Sequence, residues 1–227
     1  TGSEPWRVPT VAELPDNSVA GHTDRATFQP YARDPHTLAR PWAVPGTPGL
    51  EHRIGGLEKA DVTGNVSYDP DNHHRMQQLR AAKVAGIADD IPPLEVYGPA
   101  EGDLLILGWG STYGAIRSAV ERLAAEGHRV AHAQLRYLNP FPRNTEQVLR
   151  AYRQVLVPEL NLGQLSMLLR ARFLVDVVGF NRVRGKPFQI REIRSAAEAL
   201  LAGRSIDELP VRSGDGPAFS ASGEGLA

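Results

Sequence analysis

Apolar positions along this chain follow two rhythms. Over residues 94–202, short continuous apolar runs alternate with stretches whose apolar side chains recur every three or four positions. Leu104-Leu105-Ile106-Leu107 is such a run, predicting a strand covered on both faces that ends at Gly108. Ala115, Ile116, Ala119, Val120, Leu123 and Ala124 form one stripe of a helix that Thr112 can start and Gly127 can stop. Val130 to Leu135 reads as the next strand. Asn144 followed by Gln147 has the spacing of a capping box, opening a helix through Val148, Leu149 and Tyr152. Val155-Leu156-Val157 is again a buried strand. Asn161 can then cap a helix carrying Leu165, Leu168, Leu169 and Phe173, and Val175, Val177, Val178 and Phe180 mark a fourth strand. The last helix is predicted over about 191–202, burying Ile193, Ala196, Ala197, Leu200 and Leu201. This alternation predicts an α/β fold, a mostly parallel sheet with helices on both faces and right-handed crossovers.

Outside that region the pattern changes. Residues 71–87 form a predicted helix with Met76, Leu79, Ala82, Lys83 and Gly86 at helical intervals, capped by Asp71 or Asn72 and closed by Pro92-Pro93. Its Arg75, Arg80 and Lys83 read as a solvated face. Residues 1–50 hold eight prolines and no lasting period, which predicts an irregular, extended, Pro-rich N-terminal arm. The arm also carries Trp6, Phe28, Tyr31 and Trp42, large aromatics that fit a segment laid across another surface. Residues 203–227, rich in Gly and Ser, read as a disordered tail.

Charge and composition then narrow the function. With 25 basic against 26 acidic side chains the net charge is −1, which speaks against nucleic-acid binding. No apolar run approaches the ~18 residues of a membrane span. Cysteine is absent, so the chain itself offers no disulfide, thiolate nucleophile or cysteine-ligated iron–sulfur cluster. Nothing near Thr1 reads as a signal peptide, and the chain is expected to be part of a longer cytoplasmic polypeptide.

Two turns are candidates for chemistry. Gly108-Trp109-Gly110-Ser111-Thr112-Tyr113-Gly114 follows a strand and opens a helix, where free N–H groups and the helix dipole favour an anion. Its third glycine lies one place too late for a dinucleotide fingerprint, and no Asp or Glu closes the next strand near Leu135. The competing reading is a tight strand-to-helix turn that binds nothing. The weak cofactor-binding candidates here are Gly108, Gly110, Ser111 and Thr112. Pro158-Glu159-Leu160-Asn161-Leu162-Gly163-Gln164 lies at the same carboxyl edge of the sheet. Glu159 can serve there as a general base or ribose partner, with Asn161 and Gln164 as neutral donors. Alternatively Asn161 is a cap and Gln164 an interface contact.

Other constellations are weaker. His128 and His132 share a strand face without a third ligand, so no metal site is expected. Asp69, Asp71 and Asn72 lack the glycine and glutamate of a calcium loop, which leaves capping as their role. No Gly-x-Ser-x-Gly elbow is present. Arg136, Arg143, Arg182, Arg184 and Lys186 fall in loops near sheet edges, either solvated or facing an anionic partner.

An ordered series of motifs resembles a known family. His52-Arg53-Ile54-Gly55-Gly56-Leu57-Glu58, Thr63-Gly64-Asn65-Val66-Ser67, Asn72-His73, the Arg80–Lys83 helix, Leu107-Gly108-Trp109-Gly110-Ser111-Thr112, Leu138-Asn139-Pro140-Phe141-Pro142 and the 159–165 segment are its parts. In this order they resemble the carboxyl-terminal part of the alpha subunit of 2-oxoacid:ferredoxin oxidoreductases, of the 2-oxoglutarate type, over about residues 1–202. The resemblance implies a transketolase carboxyl-terminal-like domain at 94–202, a linker and helix at 61–93, and at 1–60 the end of a preceding pyrimidine-binding domain plus a connector. It implies a beta subunit as partner in a heterotetramer, with ferredoxin and coenzyme A acting on the complex. Thiamine diphosphate, Mg and an iron–sulfur cluster are implied for the complex and none for this chain alone. The family's Tyr-Pro-Ile-Thr-Pro segment is missing from this sequence, as is the glutamate that activates the thiamine. A structural, subunit-interface domain without catalytic residues is therefore expected. The alternatives are a nucleotide- or coenzyme-A-binding module, or the equivalent domain of another thiamine-dependent dehydrogenase or transketolase.

Overall fold

The computed structural model describes residues 8–14 and 24–206. They divide into two bodies, meeting in the chain between Ile91 and Pro92. Trp6 and residues 207–227, most of the expected tail, lie outside the described residues.

The second body carries the sheet. Its strands are β1 (Val96–Tyr97), β2 (Gly102–Trp109), β3 (Val130–Leu135), β4 (Tyr152–Glu159) and β5 (Val178–Asn181), in the spatial order β1-β3-β2-β4-β5. Every pairing is parallel except β1 with β3. The continuous apolar runs are explained by the period of two. Leu105, Leu107, Val155 and Val157 face one layer, while Leu104, Ile106 and Leu156 face the other. Each fully buried Leu or Val stabilises the fold by roughly 1.5–3 kcal/mol.

Two helices cover each face. On one side α2 (Tyr113–Ala125) and α5 (Ile190–Leu201) bury Ile116, Val120, Leu123, Ile193 and Leu200. On the other, α3 (Thr145–Arg150) and α4 (Gln164–Phe173) bury Val148, Leu149, Leu165 and Leu169. The expected α/β class is therefore observed, with corrections of detail. A fifth strand, β1, is present; two residues lying between Pro93 and Pro99 are too few to show a period. Tyr152 opens β4 rather than closing α3, and its hydroxyl donates to the Pro99 carbonyl. Leu168 and Ala124 are exposed, on the outer sides of their helices. Asn144 precedes α3 but does not cap it with its side chain. Its carboxamide instead holds Leu94, accepting from the backbone N–H at 2.7 Å and donating to the carbonyl at 3.0 Å.

Among the described residues of the first body, a 3-10 turn at Val11–Glu13 and the isolated bridges Tyr31–Val62 and Lys59–Val66 precede α1 (Pro70–Gly86). Asp69, and neither Asp71 nor Asn72, caps α1, accepting from the Asp71 N–H at 3.1 Å. Proline at the first position needs no amide partner. Asn72 is engaged elsewhere, donating to the Lys59 carbonyl at 2.9 Å and accepting from the Asp61 N–H at 2.9 Å. Of the residues placed on the expected α1 stripe, only Met76 is buried; Ala82, Lys83 and Gly86 are exposed. Arg75 pairs with Asp61 at 2.6 Å and Arg80 with Glu58 at 3.1 Å, so the basic residues lie on a solvated, ion-paired face. Among the arm's aromatics, Tyr31 is buried with the Arg40 guanidinium 4.3 Å from its ring centre. Phe28 tilts against His52 at 5.2 Å, and Trp42 is exposed. The Lys59 ammonium is buried and donates to the carbonyls of Gly55 and Leu57.

Candidate functional site

The carboxyl edge of the sheet is forked. Pairing of β2 with β4 ends at Ile106–Leu156, while β2 stays with β3 to Trp109–Leu135 and β4 stays with β5 to Glu159–Asn181. The chain leaves β2 for α2 on one face and β4 for α4 on the other. Strand ends that part with their helices on opposite faces define the switch point where open α/β sheets place ligands and contacts. Both turns singled out from the sequence flank this fork.

In the first turn, Gly108 stands opposite Gln134 in the β2–β3 register. A Cβ at Gly108 would lie 2.5 Å from Oε1 of Gln134 and 2.5 Å from Cδ1 of Ile116, so a larger residue here would displace these side-chain ends. Gly110, Ser111 and Thr112 form a single 3-10 turn before α2. The Thr112 hydroxyl does not cap α2; it donates back to the Trp109 carbonyl at 2.9 Å. Gln134 donates its amide to the Gly110 carbonyl at 3.1 Å and meets Nε2 of His132 at 3.2 Å. His132 is buried, its ring 5.2 Å from that of Tyr113. Burial pushes its imidazole down to about 4, opposed by the hydrogen bond to Gln134 and reinforced by the charge of Arg117.

In the second turn, Glu159 is fully buried and its carboxylate is committed to α4. It accepts from the N–H of Leu165 at 2.8 Å, and from the N–H and hydroxyl of Ser166 at 2.9 and 2.8 Å. A negative group at the first turn of a helix satisfies otherwise unpaired amides and complements the dipole. This geometry gives the carboxylate a structural task and leaves it unexposed to any substrate. Asn161 accepts from Gly163 and Gln164 N–H at 2.7 and 3.1 Å, closing the turn ahead of the helix; the N-cap position of α4 is Gly163, so Asn161 is not the cap expected from the sequence. Gly163 has φ 94°, and a Cβ there would be 2.9 Å from Nδ2 of Asn181. The Oδ1 of Asn181 is buried without a hydrogen-bond partner among the described residues.

The remaining candidates disperse. Arg182 lies over the Phe180 ring at 4.4 Å, and Arg184 pairs with Glu192 at 2.6 Å. His128 precedes β3 and is exposed, so it does not share a strand face with His132. No group of three or more His, Asp or Glu that could hold a metal occurs among the described residues. A shallow cleft of about 320 Å³ lies at the opposite, amino end of β4, between Arg150, Arg153 and Leu174. Gln134 is the residue sequence reasoning missed at the fork. Its signal was present: His132 and Gln134 are the polar positions of one face in an otherwise apolar strand.

Comparison with known proteins decides the family. Residues 102–193 match the pyruvate:ferredoxin oxidoreductase core domain II. Over 204 residues the chain is 53% identical to 2-oxoglutarate oxidoreductase subunit KorA of Mycobacterium tuberculosis, covering 89% of this chain and 31% of that protein. The chain belongs to the 2-oxoacid:ferredoxin oxidoreductase alpha-subunit family. Another alpha subunit of this family, from Aeropyrum pernix 2-oxoacid:ferredoxin oxidoreductase 2, is 35% identical over 154 residues, 65% of this chain and 24% of that one. Among solved structures, the 2-oxoglutarate:ferredoxin oxidoreductase of Magnetococcus marinus matches with TM-score 0.72 and 32% identity, over 78% of this chain and 31% of that one. That structure has 2-oxoglutarate, coenzyme A and succinyl-CoA bound. The chain thus spans less than a third of the length of these family members.

Proposed function

We propose that this chain is a structural, subunit-facing portion of a 2-oxoglutarate:ferredoxin oxidoreductase that is not catalytic alone. The complex would convert 2-oxoglutarate, coenzyme A and two oxidised ferredoxins to succinyl-CoA, CO₂, a proton and two reduced ferredoxins. The observation that carries this reading is the 53% identity to the M. tuberculosis subunit. On this reading residues 94–202 form the docking domain, 61–93 a linker and helix, and 1–60 a connector with the end of a preceding pyrimidine-binding domain.

The donor set supports a scaffold role. Without cysteine, and with no cluster of metal-ligating side chains among the described residues, the iron–sulfur cluster and the Mg-bound thiamine diphosphate do not fit this chain's own groups. In this reading a beta subunit holds them, in cytoplasm. Among the described residues no helix is long and apolar enough to cross a membrane. A surface for the partner is at hand, since Met167 and Leu168 are exposed on the outer side of α4, with exposed Leu162 before the helix and Leu174 after it.

Co-expression with the full alpha-type chain and a beta subunit tests the reading. Ferredoxin-linked, coenzyme-A-dependent oxidation of 2-oxoglutarate by the assembled complex, and none by this chain, is expected. Thiamine-dependent turnover by the chain alone would overturn it. The forked edge favours a second reading, a coenzyme-A- or nucleotide-binding module. Calorimetric titration with coenzyme A and adenine nucleotides separates the two, because millimolar silence removes the second.

A further inference from the structure

We propose that His132 is a positioning residue that acts through Gln134 to set the orientation of the Gly110–Ser111 peptide at the sheet fork. The Gly110 carbonyl only accepts, so the group of Gln134 that meets it at 3.1 Å is the amide NH₂. The carboxamide's other end, Oε1, therefore faces His132, where it too only accepts. A neutral imidazole carries one N–H, and this contact at 3.2 Å assigns it to Nε2. Desolvation holds the ring neutral, so the polarity of the relay is fixed: His132 Nε2–H to Gln134 Oε1, and Gln134 Nε2–H to Gly110 O.

The surroundings leave the relay few alternatives. His132 is 2% exposed and lies under the Tyr113 ring, with Tyr97 paired to it across the β1–β3 ladder. The missing side chain at Gly108 provides the space in which the Gln134 carboxamide crosses the backbone. A carboxamide alone has two near-equivalent orientations, and the reversed one would set two acceptors, Oε1 and the Gly110 carbonyl, against each other. The Gly110 carbonyl excludes that reversal, and the Nε2–H of His132 holds the opposite end of the carboxamide. In a trans peptide the carbonyl and the following N–H point in opposite directions. Anchoring the Gly110 carbonyl toward β3 therefore turns the Ser111 N–H away from β3, on the side where β2 parts from β4. The relay thus orients the peptide at the mouth of the fork. This inference concerns the chain's own geometry and stands or falls separately from the oxidoreductase reading.

Two measurements on the full chain test it. Long-range ¹H–¹⁵N NMR of the wild type reads the His132 tautomer directly at pH 7. The Nε2–H form is expected, and the Nδ1–H form or a rapidly averaging ring overturns the proposal. Amide exchange at Ser111 and Thr112 is then followed in His132→Leu, Gln134→Leu and the double variant. Each single variant is expected to accelerate exchange roughly five- to tenfold, matching loss of one hydrogen bond. The double variant should be no faster than Gln134→Leu, because both act through one amide. Additive acceleration would show two independent packing defects and sink the relay.

Discussion

Ser166 meets Glu159 twice, through its backbone N–H at 2.9 Å and its hydroxyl at 2.8 Å, so the end of β4 and the first turn of α4 are tied by a buried carboxylate. Replacing Glu159 by Ala leaves two helix amides unpaired in the interior and opens a cavity. A loss of roughly 2–4 kcal/mol is expected. Ser166→Ala, which removes only the hydroxyl, should cost about 1 kcal/mol. Urea unfolding followed by far-UV circular dichroism measures both, and equal losses for the two variants would contradict this account.

Gly108→Ala should destabilise by roughly 1–3 kcal/mol through overpacking, since the added carbon meets Gln134 and Ile116 at 2.5 Å. The same substitution at Gly185, where nothing lies within 4 Å, meets no such clash. Its cost should be confined to the positive φ of 63°. Thermal unfolding of the two variants makes the comparison.

Buried His132 makes stability depend on pH. Its folded value of about 4 lies below the unfolded value near 6.5, so the unfolded chain binds the extra proton between these limits. Stability is fully present above pH 6.5 and falls as pH drops toward 4. Gln134, Tyr113 and Arg117 are the polar groups that face the ring or shift it. Urea midpoints at pH 7, 5.5 and 4 should decline in the wild type and decline less in His132→Leu.

Glu58 titrates in a separate window. The hydrogen bonds from Arg80, then those from His73 and the Lys59 N–H, hold its carboxyl at about 2 against the opposing effect of burial. The unfolded value of about 4.5 lies higher, so its contribution is present above pH 4.5 and is lost as pH falls toward 2. Arg80→Ala should raise the Glu58 value by at least one unit, read from the side-chain carboxyl ¹³C shift during acid titration.

On the proposed function, Met167→Glu with Leu168→Glu on the outer side of α4 should leave the chain's own stability within about 0.5 kcal/mol. Both positions are exposed, at 68% and 42%. Assembly with the partner subunit should weaken at least tenfold, measured by analytical ultracentrifugation of the co-expressed subunits. Unchanged assembly would remove α4 from the interface.

What could be read from the sequence depended on how local its cause was. The Leu104–Leu107 run and the stripe of Ile193, Ala196, Ala197 and Leu200 predict their elements correctly, because burial on one face or two leaves a period in the chain itself. Asn161 has the local spacing of a cap, yet its bonds close the turn before α4 while the first-turn amides of the helix go to Glu159. Asn144 was misread because its partner, Leu94, is fifty residues distant and outcompetes the local cap. Glu159 looked like a chemical group since nothing in its neighbours reveals that its carboxylate is folded under α4. The α1 stripe failed at Ala82 and Gly86 because small residues satisfy a helical period without requiring burial.

The fork at Ile106–Leu156 has a mechanical consequence. Its two prongs, β2–β3 and β4–β5, share both core layers, since α2 and α5 pack with Leu104, Ile106, Leu156 and Phe180 on one face and α3 and α4 with Leu105, Leu107, Val155 and Val157 on the other. Opening the notch further would therefore disturb buried packing on both faces of the sheet at once.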